Sequence, residues 1–142
     1  MFKPSKQITL NDGNQMPLLG FGTYLITDHD TMQTAIKTAY DNGYRLFDTA
    51  QLYRNEKVLG DAIKNTGISR DDIFITDKIT ERNQGYDTTI ASAEYSLQLM
   101  GLDYFDLLLV HWPVASKFFD TWRAFETLKK QGKVKSIGVS NY

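Results

Sequence analysis

Residues 43–60, GYRLFDTAQLYRNEKVLG, put a strand, two candidate catalytic side chains and the start of a helix into one short stretch. Arg45-Leu46-Phe47 reads as a short buried strand, and Asp48 sits where that strand ends. Tyr53 follows after a loop whose polar flanks, Gln51 and Arg54, belong in solvent. Asn55 is placed to cap a helix running through Val58, Leu59, Ala62 and Ile63. A buried carboxylate is costly unless something pairs with it, so an acid at a strand's carboxyl end is rarely there for packing. By itself the stretch leaves two readings equally open: a loop-holding Asp beside a core Tyr, or part of a site.

Working outward, the same unit repeats. Upstream, residues 7–18, QITLNDGNQMPL, place two strand-like runs around Asn11-Asp12-Gly13-Asn14, and the Asp-Gly pair favours a tight hairpin turn. Leu18 to Thr23 is an apolar run broken by Gly20 and Gly22, read as a buried strand ending where backbone approaches something closely. A helix is expected from about Asp30 to Asn42, stopped by Asn42-Gly43. Downstream, Ile73 to Lys78 is a strand rich in β-branched and aromatic residues, and a helix spans Asp87 to Met100. Phe105 to Trp112 is nearly continuous in apolar residues, as in a central parallel strand covered on both faces. A fourth helix carries Phe118, Trp122, Phe125 and Leu128, stops at Gly132, and leads into a strand through Ser136 to Asn141.

Strand and helix therefore alternate through five strands and four helices behind a hairpin, with no linker or charge block to divide domains. That order demands a parallel sheet with right-handed crossovers. The polar residues closing successive strands are Asp48, Lys78, His111 and Ser140. The intervals from 48 to 78, 78 to 111 and 111 to 140 are 30, 33 and 29 residues. In a doubly wound sheet or a βα barrel, such ends share one face, where ligands bind.

A carboxylate, a phenol, an ammonium and an imidazole on that face suit proton transfer to a carbonyl oxygen. Free tyrosine is a weak acid at neutral pH, and a neighbouring ammonium makes it a better one. Lys78 can supply that charge with Asp48 holding it, while His111 orients the carbonyl and donates to developing oxyanion charge. None of these groups carries hydride, so a reductase built this way needs a cofactor. Each also has a plain structural reading: His111 as a satisfied core histidine, Asp48 and Lys78 as an ion pair, Tyr53 as packing. Four independent structural explanations on evenly spaced strand ends are harder to sustain than one shared site.

Composition narrows the classes further. The chain has 142 residues, is 42% hydrophobic and 23% charged, and carries a net charge of -1. Its 16 basic and 17 acidic residues are interspersed, giving neither a nucleic-acid footprint nor a polybasic membrane anchor. Cysteine is absent, which removes disulfides, thiolate metal ligands and a cysteine nucleophile. His29 and His111 are far apart in sequence, and no metal-binding motif joins them. No phosphate-binding loop or serine nucleophile elbow occurs, and Gly20-Phe21-Gly22 is only half a dinucleotide fingerprint. The opening MFKPSKQ lacks an apolar signal core and no membrane-length apolar run follows, so the expected compartment is the cytoplasm.

These motifs resemble a known family. Gly43-Tyr44-Arg45-Leu46-Phe47-Asp48-Thr49-Ala50, with Tyr53, Glu56 and Leu59-Gly60, is similar to the first signature of the aldo-keto reductases. Leu108 to Pro113 resembles their fourth-strand motif and Lys135 to Tyr142 their fifth, and among subgroups the chain looks most like the bacterial diketogluconate and glyoxal reductases. The resemblance implies a (β/α)8 barrel, with the hairpin as its bottom plug, reducing small aldehydes and ketones with NADPH. It places the catalytic tetrad at Asp48, Tyr53, Lys78 and His111, with Tyr53 as general acid. It further implies cofactor contacts at Gly22, Thr23, Asp48, Ser140 and Asn141, and substrate contacts at Tyr24, His111 and Trp112. Asp77 departs from the family pattern, where a small or hydroxyl residue is usual before the lysine; it either tunes Lys78 or points away.

A complete barrel of this type takes about 250 residues, so the resemblance implies a single partial domain over residues 1–142, truncated after the fifth strand. Open edges at the first and fifth strands are then expected to favour homo-oligomers. Two further readings stay open for a chain of this length: a non-catalytic binding or assembly module of the same fold, or a different barrel enzyme with Asp48 and Lys78 remote from Tyr53.

Overall fold

A computed structural model describes residues 6–142. The hairpin comprises β1 (Gln7–Thr9) and β2 (Gln15–Pro17), paired antiparallel with Ile8 opposite Met16. Five parallel strands follow in sequential order: β3 (Gly20–Gly22), β4 (Leu46–Asp48), β5 (Phe74–Ile79), β6 (Phe105–Val110) and β7 (Val134–Val139). Between them run α1 (His29–Asp41), α2 (Glu56–Asn65), α3 (Tyr86–Met100) and α4 (Phe118–Lys130). The hairpin, five strands and four helices match the alternation expected from the sequence. Three short 3₁₀ turns, at 51–53, 70–72 and 81–83, were not expected; each is too brief to show a helical period.

Alternation along the strands sorts residues into two layers. Phe47, Ile75, Leu108 and Val110 face the helices and join Met32, Ile36, Leu59, Leu97 and Phe125 in the main core. Leu46, Phe74 and Leu107 form a second cluster on the opposite, inner face, and Met16 of the hairpin packs beneath it. The hairpin is also tied to the last βα unit. Asn14 Nδ2 donates to Ser136 Oγ at 2.9 Å, and Lys129 Nζ reaches Asp12 Oδ2 at 2.6 Å. That ammonium is the main reason the Asp12 carboxyl is held down at about 2.

Two local expectations need correction. Leu18 and Leu19 are not buried strand residues: they are 58% and 48% exposed, because the strand begins only at Gly20 and lies at the sheet's edge. Asn55 stands at the N-cap of α2, yet its side chain makes no capping bond. Its amide is spent on tertiary partners, as described below. Helix α1 is capped instead by Asp28, whose carboxylate accepts from Thr31 N at 2.9 Å.

Candidate active site

Three of the strand ends meet on the inner face. Asp48 closes β4, Lys78 lies at the penultimate position of β5, and His111 follows β6 directly. The Lys78 ammonium donates to Asp48 Oδ1 at 2.6 Å, to Asp48 Oδ2 at 2.7 Å and to the Thr49 carbonyl at 2.9 Å. All three donors are therefore committed, and the lysine is fixed rather than reaching for solvent. Its Nζ lies 5.1 Å from the centre of the Tyr53 ring. The His111 ring stands edge-on to the same tyrosine at 5.9 Å, and Tyr24 lies against it at 5.0 Å. Trp112 stacks beside His111 at 6.4 Å. Tyr24 and Trp112 are both largely exposed, so they stand as walls over a sunken polar centre.

His111 itself is buried. Burial lowers its basicity, the Lys78 charge lowers it further, and Glu81 and Asp48 pull the other way. The imidazole is thus neutral at physiological pH, with one N–H to give. Its Nδ1 has no partner among the described residues. A nitrogen facing no acceptor is best left unprotonated, which assigns the hydrogen to Nε2.

Tyr53 owes its place to residues that the sequence did not single out for this purpose. It ends a 3₁₀ turn and precedes Arg54 in the left-handed region at φ 55°. Gln51, opening that turn, accepts from Thr80 N at 3.2 Å and Asn83 Nδ2 at 2.9 Å, and donates to Ser96 Oγ at 3.1 Å. Buried Asn55 donates to the carbonyls of Thr23 at 2.8 Å and Ile26 at 3.0 Å, and accepts from Thr49 Oγ1 at 2.7 Å. One amide thus joins the loop after β3 to the loop after β4. Gln84 Nε2 fixes Trp112 through its carbonyl at 2.7 Å. Side-chain amides are common in loops, and only their tertiary partners distinguish these from surface residues.

The remaining candidates fall around the rim. Thr23 is fully buried, with its N–H and hydroxyl both donating to the Asp48 carbonyl at 3.0 Å, so it supports Asp48 from beneath. Gly22 has open space where a side chain would begin. Ser140 N donates to the Val110 carbonyl at 2.8 Å. Asn141, at φ 62°, donates to the His111 carbonyl at 2.8 Å and to Ser140 Oγ at 3.0 Å. The ends of β6 and β7 are thereby locked together. Asp77 is turned to the helix side of β5, away from this cluster, which decides between the two readings of that residue.

Residues 18–142 match the family described as the Aldo/keto reductase family. The chain belongs to that family. The glyoxal reductase of Bacillus subtilis strain 168 is 45% identical over 135 residues, covering 95% of this chain and 49% of the relative. A crystal structure of an aldo/keto reductase from Brucella melitensis superposes with a TM-score of 0.91 at 46% identity, over 97% of this chain and 54% of that one. An aldo-keto reductase of Bombyx mori in complex with NADP superposes at 0.87 with 31% identity, over 99% of this chain and 52% of that one. This aldo/keto reductase chain therefore spans about half the length of the curated relatives it matches. Its five-stranded parallel sheet and four helices are a partial (β/α)8 fold, in an oxidoreductase family.

Proposed function

We propose that residues 1–142 belong to one oxidoreductase domain that reduces small aldehydes and ketones to alcohols with NADPH, using Tyr53 as general acid. The observation that carries this reading is the ammonium of Lys78, pinned by Asp48 and 5.1 Å from the Tyr53 ring. The Tyr53 hydroxyl gives its proton to the substrate's carbonyl oxygen, and the Lys78 charge stabilises the phenolate left behind. Asp48 keeps Lys78 in place, and Thr23 keeps Asp48. His111 Nε2–H donates a hydrogen bond to the same oxygen as negative charge develops on it. Tyr24 and Trp112 flank the carbonyl's substituents and exclude water.

The donor set at the end of β7 fits a nicotinamide carboxamide: the Ser140 hydroxyl and the side-chain carbonyl of Asn141 are suited to its amide, and Gly22, at the end of β3, leaves open space for a ligand. When bound, the reduced dinucleotide supplies the hydride that the carbonyl carbon receives. Among the described residues no helix is long and apolar enough to cross a membrane, and the compartment proposed is the cytoplasm. The glyoxal reductase relative suggests dicarbonyls as the first substrates to try.

Loss of NADPH absorbance with methylglyoxal tests the reading. Any turnover by the 142-residue chain should fall by about 10²–10⁴-fold in Tyr53→Phe, the usual contribution of a general acid, and a wild-type chain without turnover sinks the activity of this chain while leaving the family standing. A second reading, a non-catalytic binding or assembly module, is favoured by the half-length coverage of the relatives. Absence of both turnover and saturable NADPH fluorescence enhancement would favour it or an inactive fragment over the enzyme.

A further inference from the structure

Asp77 is the buried carboxyl that the proposed reaction leaves unused. Alternation along β5 turns it to the side of Ile75 and Ile79, where it is completely buried. Glu56, in the first turn of α2, is 7% exposed, and its carboxyl is the main neighbouring charge acting on Asp77. Among the described residues, neither oxygen of Asp77 nor Oε1 of Glu56 has a well-formed hydrogen bond; the backbone N–H of Lys78 is the donor that acts on the Asp77 carboxyl. Lys78, next along the chain, is no counter-ion for them, since its ammonium is consumed by Asp48 and Thr49 on the inner face.

Two carboxylates cannot stay ionised in contact inside a core; one must take a proton, and that proton then bridges the pair. Burial is the main influence pushing Asp77 well above its ordinary 3.8, and the charge of Glu56 adds to it, with Lys78 opposing. Glu56 stands at a helix N-terminus, and it borders a cavity of about 220 Å³ that Arg54 and Arg82 also line.

We propose that Asp77 and Glu56 form a carboxylic acid–carboxylate pair sharing one proton, and that this pair clips the turn carrying Tyr53 to the strand carrying Lys78. Glu56 is three residues beyond Tyr53, and Asp77 immediately precedes Lys78, so the two ends of the clip move with the two candidate catalytic groups. The other charged and titratable groups around it are Lys78, whose ammonium lies on the opposite face of β5, and Arg54, Arg82 and Tyr95, which line the cavity that Glu56 borders. Asp48 of β4 lies across the sheet and balances Lys78 there. The folded chain holds a proton that the unfolded chain releases above about pH 4, so stability falls as pH rises from that range toward the folded value. The inference does not rest on the acid role of Tyr53, because its tests measure protonation and stability rather than turnover.

The test is ¹³C NMR of the side-chain carboxyls in the 142-residue chain, titrated from about pH 4 to about pH 9, with melting temperature followed over the same range. One carboxyl should remain protonated at neutral pH and disappear in Asp77→Asn, whose melting temperature should decline less with pH than that of the wild type. Glu56→Gln, which removes the like charge and supplies an amide donor, should shift the Asp77 titration to lower pH. Full ionisation of both carboxyls at neutral pH in the wild type overturns the proposal, as does a protonated carboxyl that survives unchanged in both variants.

Discussion

Lys78 shows how one side chain can be structural and chemical together. Its ammonium is nearly enclosed, at 9% exposure, while its partner Asp48 keeps 30%. Replacing it with Met leaves Asp48 facing a half-buried void without its cation. Lys78→Met should therefore lose about 2–3 kcal/mol of stability, below the range for a fully buried pair because Asp48 can still reach water. Tyr53 is only half-buried, and Tyr53→Phe removes one oxygen without opening a cavity. Urea denaturation of the two variants should separate these roles: a clearly lowered midpoint for Lys78→Met, and a Tyr53→Phe midpoint within about 0.5 kcal/mol of wild type. The residue types at 48, 53, 78 and 111 were legible in the sequence because each breaks an apolar or turn pattern. Asn55, Gln51 and Gln84 were not, since an amide looks the same in a loop whether it joins separate segments or none.

At the scale of elements, Gly60 makes the sharpest case. By helix propensity alone, Ala in the interior of α2 should be worth about 1 kcal/mol over Gly. A Cβ on Gly60, however, would sit 2.3 Å from the carbonyl oxygen and 2.5 Å from the Cα of Met100. Those atoms belong to the backbone of α3 and cannot rotate aside, so the two helices would have to part. Gly60→Ala should destabilise by about 2–3 kcal/mol in chemical denaturation, reversing the sign that propensity predicts. The elements themselves were readable from their periods: α1 and α4 begin or end within a residue or two of expectation, and all five parallel strands appear. What periodicity could not supply was the conduct of the ends, such as the cap of α1 by Asp28 and the uncapped start of α2.

For the whole molecule, the strand order leaves β3 and β7 with one sheet neighbour each among the described residues. Tyr24, Trp112, Val139 and Tyr142 are exposed apolar groups. A purified solution of these 142 residues offers only further copies of the chain to cover such edges and surfaces. Light scattering coupled to size exclusion should give a mass above that of the 16.2 kDa chain, rising with concentration. A monomer at every concentration would show that the open edges are not adhesive.

The sequence by itself determined the order of elements, the family and the residue types at each strand end, because period, turn chemistry and spacing are local properties of a chain. Only the tertiary structure decided which side of β5 each acid and base faces, since alternation assigns opposite faces to neighbours but does not say which face is lined by helices. It placed Lys78 under Tyr53 and turned Asp77 to the helix side of β5. Both placements depend on segments distant in sequence, and they exist only once the sheet has formed and α2 has packed beside it.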